Sequence, residues 1–313
     1  MSLLVKFVGV LHWVANHIVD QLWSGGMYKS IVISIGAVNI AMLLESSDCE
    51  FTHVGGFLNF AAKEQPDVSL RVFLNSFPEI HPEDLVFDSG SNWSLYKDQD
   101  KWILRLRTNN NFPQRLAIFD SDFHSGEIYL ESKGFQNRTF VFPLARPIGQ
   151  IFLTNLLAQG YGSNFHACGI VDQGEGILFA GKSGAGKSTT AELWQGIEDV
   201  KVINDDHNII RRHEGGFWLY STPWPGMGGV ALPAGVPLKQ IFILKQAPQN
   251  HVTQLTPIEA ASALLVRSFP PFWDSQGMDF TLEFLDELSK TVPCYELGFI
   301  PDRSIVNFVR CVQ

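Results

Sequence analysis

The stretch from Gly181 to Ser188 reads GKSGAGKS, and it decides how the rest of the chain is interpreted. It matches G-x-x-x-x-G-K-[ST] without a mismatch, the pattern of a loop whose backbone N–H groups cradle phosphates. In such a loop Lys187 reaches the β- and γ-phosphates, and the Ser188 hydroxyl can ligate Mg²⁺. The residues expected to contact a nucleotide are Gly181, Ser183, Gly184, Ala185, Gly186, Lys187, Ser188 and Thr189.

The segments on either side of this loop support the match. Gly176 to Ala180 is a short apolar run of the kind found in buried strands, and Thr189 to Gln195 can form a helix. The N-terminus of that helix would face the phosphates. Because strand, loop and helix is the required context, the alternative of a glycine-rich surface turn with a chance Lys-Ser is disfavoured.

Composition limits the class of protein. The chain has 313 residues, of which 45% are hydrophobic, so it is expected to fold into two domains. A net charge of −9 argues against a nucleic-acid partner, which would require a basic surface. The four cysteines are scattered and form no C-x-x-C pair, which indicates reduced thiols in a cytoplasmic protein. They are Cys49, Cys168, Cys294 and Cys311.

The N-terminal apolar stretch is not expected to span a membrane. Leu3 to Trp23 is long enough, but Lys6, Asn16 and Asp20 interrupt it. We therefore predict an extra amphipathic helix over residues 1–27.

The chain divides into two predicted domains. Residues 1–142 are strand-rich and predict an α+β recognition domain with an antiparallel sheet and few helices, one of them over Phe51 to Ala62. Residues 143–313 predict the nucleotide-binding domain, in which a helix over Pro143 to Tyr161 joins the halves.

Hairpins on both sides of the loop predict a mixed sheet in the second domain. His166 to Val171 pairs with the strand before the loop, and Asn208 to Arg212 pairs with Phe217 to Tyr220. An alternating α/β fold with a parallel sheet would not contain these hairpins.

Several polar residues are candidates for chemistry. Asp205 and Asp206 follow the apolar strand Val200 to Asn204, and the simpler alternative is a turn at the end of that strand. Arg267 and Arg303 could contact phosphate or substrate, although a solvated surface arginine is the commoner case.

The order and spacing of these motifs resemble the HPr kinase/phosphorylase superfamily, whose kinase core is shared with ATP-dependent phosphoenolpyruvate carboxykinase. The resemblance covers roughly residues 144–313 and implies a phosphoenolpyruvate carboxykinase-like P-loop kinase core. The matching segments are His166 to Gly169, Gly181 to Thr190, Ile203 to His207 and Pro223 to Gly226.

The resemblance also implies roles for the site residues. Asp205 would be the base toward the acceptor hydroxyl, Asp206 would approach the metal with Ser188, and His166 would be the active-site histidine. The alternative for His166 is a hydrogen-bonded histidine in a hairpin. Thr189 stands where HPr kinase/phosphorylase has a glutamate, which argues against phosphorylase activity and against HPr as the substrate.

Together these observations predict an ATP- and Mg²⁺-dependent kinase. It would phosphorylate a hydroxyl, with serine as the expected acceptor group, on a protein, peptide or small metabolite. Relatives of this kind are oligomeric, so a homo-oligomer is also expected. The alternative from a different class is a nucleotide-binding regulatory or assembly module without turnover, and a phosphoserine hydrolase is a third reading.

Overall fold

A computed structural model describes residues 29–44, 49–52, 54–82, 84–107, 113–132 and 138–312. The helix predicted over residues 1–27 lies outside these ranges. Contacts divide the chain into two units, one made of Met1–Ser34 and Asn39–Pro143, the other of Ile35–Val38 and Leu144–Gln313. No helix within the described ranges is long and apolar enough to cross a membrane.

The described part of the first unit is built from strands and one 3-10 helix, Gly55–Phe60. Eight strands form one sheet in the order β1-β2-β4-β9-β8-β7-β6-β5, and β10 pairs with β3. The strands are β1 (Lys29–Ile35), β2 (Val38–Leu44), β3 (Glu50–Thr52), β4 (Val68–Leu74), β5 (Asp84–Asp88), β6 (Trp93–Asp98), β7 (Lys101–Leu106), β8 (Arg115–Phe119), β9 (Ser125–Leu130) and β10 (Thr139–Val141).

The antiparallel sheet expected for this unit is only partly correct, because the large sheet is mixed. The four pairs from β5–β6 to β8–β9 are antiparallel. The pairs β2–β4 and β4–β9 are parallel. The middle of β2 is buried on both faces, from Ile40 to Met42. Strands buried on both faces are typical of parallel pairing and lack the alternation that identifies a hairpin strand.

The helix predicted over Phe51 to Ala62 is wrong. The structure has a strand at Glu50–Thr52, followed by the 3-10 helix Gly55–Phe60. Pairing of β3 with β10 fixes the first residues in extended form, and two glycines at positions 55 and 56 disfavour an α-helix there.

The second unit contains the mixed sheet and all five α-helices of the described ranges. Its strands are β11 (Gly162–Asp172), β12 (Glu175–Ala180), β13 (Val200–Asn204), β14 (His207–His213), β15 (Gly216–Ser221), β16 (Gly235–Gln246), β17 (His251–Gln254) and β18 (Cys294–Phe299). Its helices are α1 (Ile148–Leu157), α2 (Lys187–Trp194), α3 (Pro257–Leu265), α4 (Ser275–Thr291) and α5 (Ser304–Arg310).

Two long strands hold this sheet together. The first half of β11 pairs with β14, and its second half pairs with β12 and β13. The first three residues of β16 pair antiparallel with β15, and residues 238–243 pair parallel with β12. Strand β12 therefore lies between β11 and β16, and its last residue, Ala180, ends beside Ile243 of β16.

Two layers of helices cover the central strands. Leu178 and Ala180 of β12 pack in a core with α3 and α4, whereas Ile177 and Phe179 pack in a second core with α2 and α5. This alternation is the period of two expected of a strand, here with apolar residues on both faces. The loop 181–186 therefore begins at the end of a strand that is buried on both sides.

Candidate functional site

The loop after β12 has the strand–loop–helix form that its sequence predicts. Strand β12 ends at Ala180, and α2 begins at Lys187 with Gly186 as its N-cap. Gly186 has a φ of 108°, and a Cβ there would lie 2.6 Å from the ring of Phe299. Only glycine satisfies both conditions without strain. The first N–H groups of α2 are thereby directed out of the helix end, where an anion is favoured.

The side chain of Lys187 is hydrogen-bonded to the backbone at the start of this loop. Its side chain is buried, and its Nζ donates hydrogen bonds to the carbonyl oxygens of Gly181 at 2.9 Å and Lys182 at 3.3 Å. Burial lowers the pKa of Lys187, while the negative charge of Asp206 acts in the opposite direction. The amine is thus placed in the loop and under the electrostatic influence of an acid from another strand.

A cleft of about 600 Å³ opens in front of the loop. It is lined on one side by the loop and the start of α2 and on the other by acids, a histidine and the segment after β15. The lining residues are Arg146, His166, Ser183, Gly184, Gly186, Lys187, Ser188, Thr189, Asp205, Asp206, Pro225, Gly226 and Met227. Most of the residues predicted from the sequence therefore share one cleft; Gly181 lines a neighbouring cleft instead, and Ala185 lines neither.

The two acids are held by the side chain of Asn204, the last residue of β13. Asn204 is fully buried, and its Oδ1 accepts hydrogen bonds from the backbone N–H groups of Asp206 at 2.8 Å and His207 at 2.9 Å. Its Nδ2 donates to the carbonyl oxygen of Thr222 at 2.8 Å. This arrangement is an Asx turn, a common use of asparagine where a chain reverses. In the sequence Asn204 is the end of a predicted strand and part of the segment Ile203 to His207, but nothing there indicates that its side chain holds the turn.

Asp205 is fixed by the segment that follows β15. It is almost fully buried, and its two carboxylate oxygens accept hydrogen bonds from the backbone N–H groups of Gly226 at 2.9 Å and Gly228 at 2.8 Å. A Cβ at either glycine would lie within 2.8 Å of Asp205 Oδ2. The segment can therefore approach the carboxylate only because both positions are glycine.

Asp206 is the most heavily contacted acid of the cleft. Its oxygens lie 2.8 Å from Nδ1 of His166, 3.3 Å from Nε2 of His207 and 3.2 Å from Nη2 of Arg146. Burial opposes ionisation of this carboxyl, but the hydrogen bonds from the two histidines outweigh it and hold the pKa of Asp206 well below its usual range. Asp206 is therefore charged at neutral pH.

Strand register explains why His166 and His207 meet at Asp206. His166 of β11 lies directly opposite His207 of β14 in an antiparallel pair, and residues opposite each other share a face of the sheet. His207 is buried, which lowers its pKa, and its ring stacks on Phe269 with centroids 4.8 Å apart. Gln150 of α1 places its Nε2 3.1 Å from His207 Nε2.

These three side chains could also hold a metal ion. Ligand atoms of His166, Asp206 and His207 lie within 4.8 Å of one another. A set of two imidazoles and one carboxylate suits a transition metal such as Mn²⁺, Fe²⁺ or Zn²⁺ better than Mg²⁺, which prefers oxygen ligands. Oxygen ligands for Mg²⁺ are available in the same cleft from Ser188, Asp205 and Asp206.

The two arginines singled out in the sequence behave differently. Arg267 lines a second cleft on the other side of the loop, whereas Arg303 is exposed at the start of α5 and lines neither cleft. The sequence analysis missed Arg146 and Gln150, which contact Asp206 and His207. Neither residue belongs to a motif, since both are brought to the site only by the packing of α1.

The sequence model of one protein family, described as SynChlorMet cassette protein ScmC, matches residues 139–300. This is slightly more than half of the chain, and the protein therefore belongs to the ScmC family. No curated protein matches the chain.

The membership predicted from the sequence is wrong. The matching family is ScmC, not an HPr kinase family. The motifs that suggested the resemblance are short, and a phosphate-binding loop with an acid pair can occur in more than one family. The description of the ScmC family names a cassette and no activity.

Proposed function

We propose that this protein is a cytoplasmic ATP- and Mg²⁺-dependent phosphotransferase that phosphorylates a hydroxyl, with serine the expected acceptor group, on a protein, peptide or small metabolite. One observation carries the proposal. A single cleft of about 600 Å³ contains the loop lysine Lys187, the hydroxyl of Ser188, both acids Asp205 and Asp206, and His166. These are the groups that phosphoryl transfer requires.

The triphosphate would be held by the loop. Lys187 and the N–H groups at the start of α2 neutralise negative charge on the phosphates, and they are already fixed before a ligand arrives. Ser188 and Asp206 would hold Mg²⁺, which when bound neutralises charge on the β- and γ-oxygens. Positioning and electrostatic stabilisation supply most of the catalysis in reactions of this class.

In this proposal His166 accepts the proton of the acceptor hydroxyl. Its Nδ1 faces Asp206 at 2.8 Å, so the carboxylate orients the ring as in other base–acid pairs. Its Nε2 has no hydrogen-bond partner among the described residues and lies on a side chain that lines the cleft. The assignment of Asp205 as the base stays a prediction. Both of its oxygens already accept N–H groups from Gly226 and Gly228, and this is why we propose His166 for that role.

Acceptor-dependent formation of ADP from Mg·ATP tests the proposal. Serine-containing proteins, peptides and small metabolites serve as acceptors for the wild type and for Asp206→Asn. The variant keeps the shape of the side chain but removes the charge that would hold Mg²⁺ and that faces His166, so turnover is expected to fall by at least about 100-fold. Asp279→Asn, at an exposed position of α4, is the matched control and is expected to match the wild type.

The opposite outcome has a clear meaning. If the wild type binds nucleotide but forms no ADP with any acceptor, the kinase proposal fails and the protein is a nucleotide-binding regulatory or assembly module.

A further inference from the structure

A second cleft of about 560 Å³ lies beside the first and shares part of the loop with it. The two clefts meet at Arg146, His166 and Ser183. The second cleft is lined by the start of the loop, by Gln150 of α1 and by the segment 266–269 after α3, which includes Arg267.

The charge of this cleft is opposite to that of the protein as a whole. Three basic side chains line it, those of Arg146, Lys182 and Arg267, together with His166 and His207. None of its described lining residues is an aspartate or glutamate. The chain carries a net charge of −9. Asp206, which lines the first cleft, contacts Arg146, His166 and His207, so the positive charge left for a ligand in the second cleft comes from Lys182 and Arg267. A basic cleft attracts and concentrates anions.

Arg267 shows where an anion would bind. Its Nη1 donates to the carbonyl oxygen of Ala263 at 2.6 Å, but its buried Nε has no hydrogen-bond partner. The described residues provide no carboxylate within ion-pair distance of it. Burial lowers the pKa of this guanidinium, which reflects the cost of removing a charged group from water. Nε is itself buried, so a carboxylate in the cleft would pair with the partly exposed remainder of the guanidinium.

The segment that carries Arg267 is fixed to the sheet, so the cleft is preformed. The N–H of His166 donates to the carbonyl oxygen of Arg267 at 2.7 Å, and the N–H of Phe269 donates to that of Asn164 at 2.9 Å. The apolar side chains of Val266 and Phe269 line the cleft on either side of Arg267, and they are 70% and 36% exposed. A ligand held by Arg267 would therefore also contact apolar surface.

We propose that this second cleft binds the phosphoryl acceptor and that the acceptor is a carboxylate-bearing molecule with an apolar part, its carboxylate paired with Arg267. The inference rests on the proposed function, because it places the acceptor beside the triphosphate. The phosphoryl group must pass from one ligand to the other, and the clefts meet at His166, the residue placed to accept the hydroxyl proton. In the reaction the acceptor oxygen bonds to the γ-phosphorus, the bond to the β-phosphate oxygen breaks, and the hydroxyl proton passes to His166.

Two probes that differ only in the carboxylate test this assignment. N-benzoyl-L-serine has the aromatic body, the hydroxyl and a carboxylate, and N-benzoyl-L-serinamide replaces the carboxylate with a neutral amide. Calorimetric titration of the full chain is expected to show that the acid binds at least tenfold more tightly than the amide. In Arg267→Gln the affinity for the acid is expected to fall about tenfold or more, because a charge-assisted hydrogen-bonded pair is lost.

Two further measurements are the controls for this test. Arg303→Gln makes the same change at an exposed arginine outside both clefts and is expected to leave both probes unaffected. Unchanged affinity of Arg267→Gln for Mg·ADP shows that the variant is folded and that the arginine does not serve the nucleotide.

Three results would overturn the inference. They are equal affinity of the wild type for acid and amide, no binding of either probe, and a loss of Mg·ADP affinity in Arg267→Gln without a loss of acid affinity. If the acid binds through Arg267 while the wild type binds no nucleotide, the anion site stands and the proposed kinase function fails.

Discussion

The two clefts beside the loop 181–188 share three residues but differ in charge. The first contains two carboxylates, Asp205 and Asp206, together with Lys187. The second has no acid among its described lining residues, and it contains Arg267, whose Nε has no hydrogen-bond partner. Carboxylates organise a metal and a triphosphate, but they repel a free carboxylate ligand. One loop can therefore border two sites of different chemistry, each suited to a different ligand.

Local structure produces this difference. The acids lie on the turn between β13 and β14, which is held by Asn204, and they point into the first cleft. Arg267 lies after α3, on a segment hydrogen-bonded to β11. His166, on β11, lines both clefts, so it is shared by the site that contains the acids and the site that contains Arg267.

Removing His166 should therefore have the largest effect on any transfer between the clefts. In His166→Gln we expect acceptor-dependent ADP formation to fall about 100- to 10,000-fold, the range for loss of a general base, with nucleotide affinity nearly unchanged. Steady-state kinetics of the purified variant measure this effect.

His81→Gln is the control, because His81 is exposed in the first unit and forms an ion pair with the exposed Glu79. Asp205→Asn measured in parallel separates the two candidate bases. If Asp205→Asn abolishes turnover at unchanged nucleotide affinity while His166→Gln remains active, the base is Asp205 and the assignment to His166 is wrong.

Asn204→Ala should destabilise the turn that carries the two acids and His207. The substitution leaves the buried N–H groups of Asp206 and His207 without their acceptor, and we expect the free energy of unfolding to fall by about 2–4 kcal/mol. Urea denaturation measures this loss. Asn307→Ala, at an exposed position of α5, is expected to change it by less than about 0.5 kcal/mol. Equal stability of the two variants would mean that the Asx turn does not hold the acids.

The smallest predicted effect is a pH dependence that arises from His207. Burial lowers its pKa in the folded state, so below about pH 6.5 the unfolded chain binds a proton that the folded chain does not. The contribution of His207 to the free energy of unfolding is then complete above that pH. It decreases as the pH falls, by at most about 1.4 kcal/mol per pH unit.

Urea denaturation at several pH values between 5 and 8 measures this slope. Asp206 remains ionised throughout this window because its pKa is held low. His207→Gln should flatten the slope, whereas His251→Gln, at an exposed strand residue, should keep it. A slope unchanged by His207→Gln would show that another group causes the pH dependence.

Much of the site could be predicted because it follows directly from local sequence. The apolar run before Gly181, the glycines and the helix after Lys187 are contiguous, so strand, loop and helix were found together. The acids were found because they follow an apolar strand that ends at Asn204. The hairpins around the loop are also short-range features, and they are present as β11–β12 and β14–β15.

What the sequence analysis missed depends on contacts between distant segments. His207 faces His166 only because of the register between β11 and β14. Arg146 and Gln150 reach the site through the position of α1, and the parallel strands β2, β4 and β9 have no hairpin signal. The family assignment failed for a related reason. It depended on four short motifs, whereas the ScmC family model matches a continuous stretch, residues 139–300.

Equilibrium binding of Mg·ATP and of AMP to the wild type and to Lys187→Ala tests the central claim most directly. The account predicts that the wild type binds Mg·ATP at least about tenfold more tightly than AMP. It also predicts that Lys187→Ala loses this preference, while Lys290→Ala, at an exposed residue of α4, keeps it. Equal binding of Mg·ATP and AMP by the wild type, or an unchanged preference in Lys187→Ala, would contradict the account.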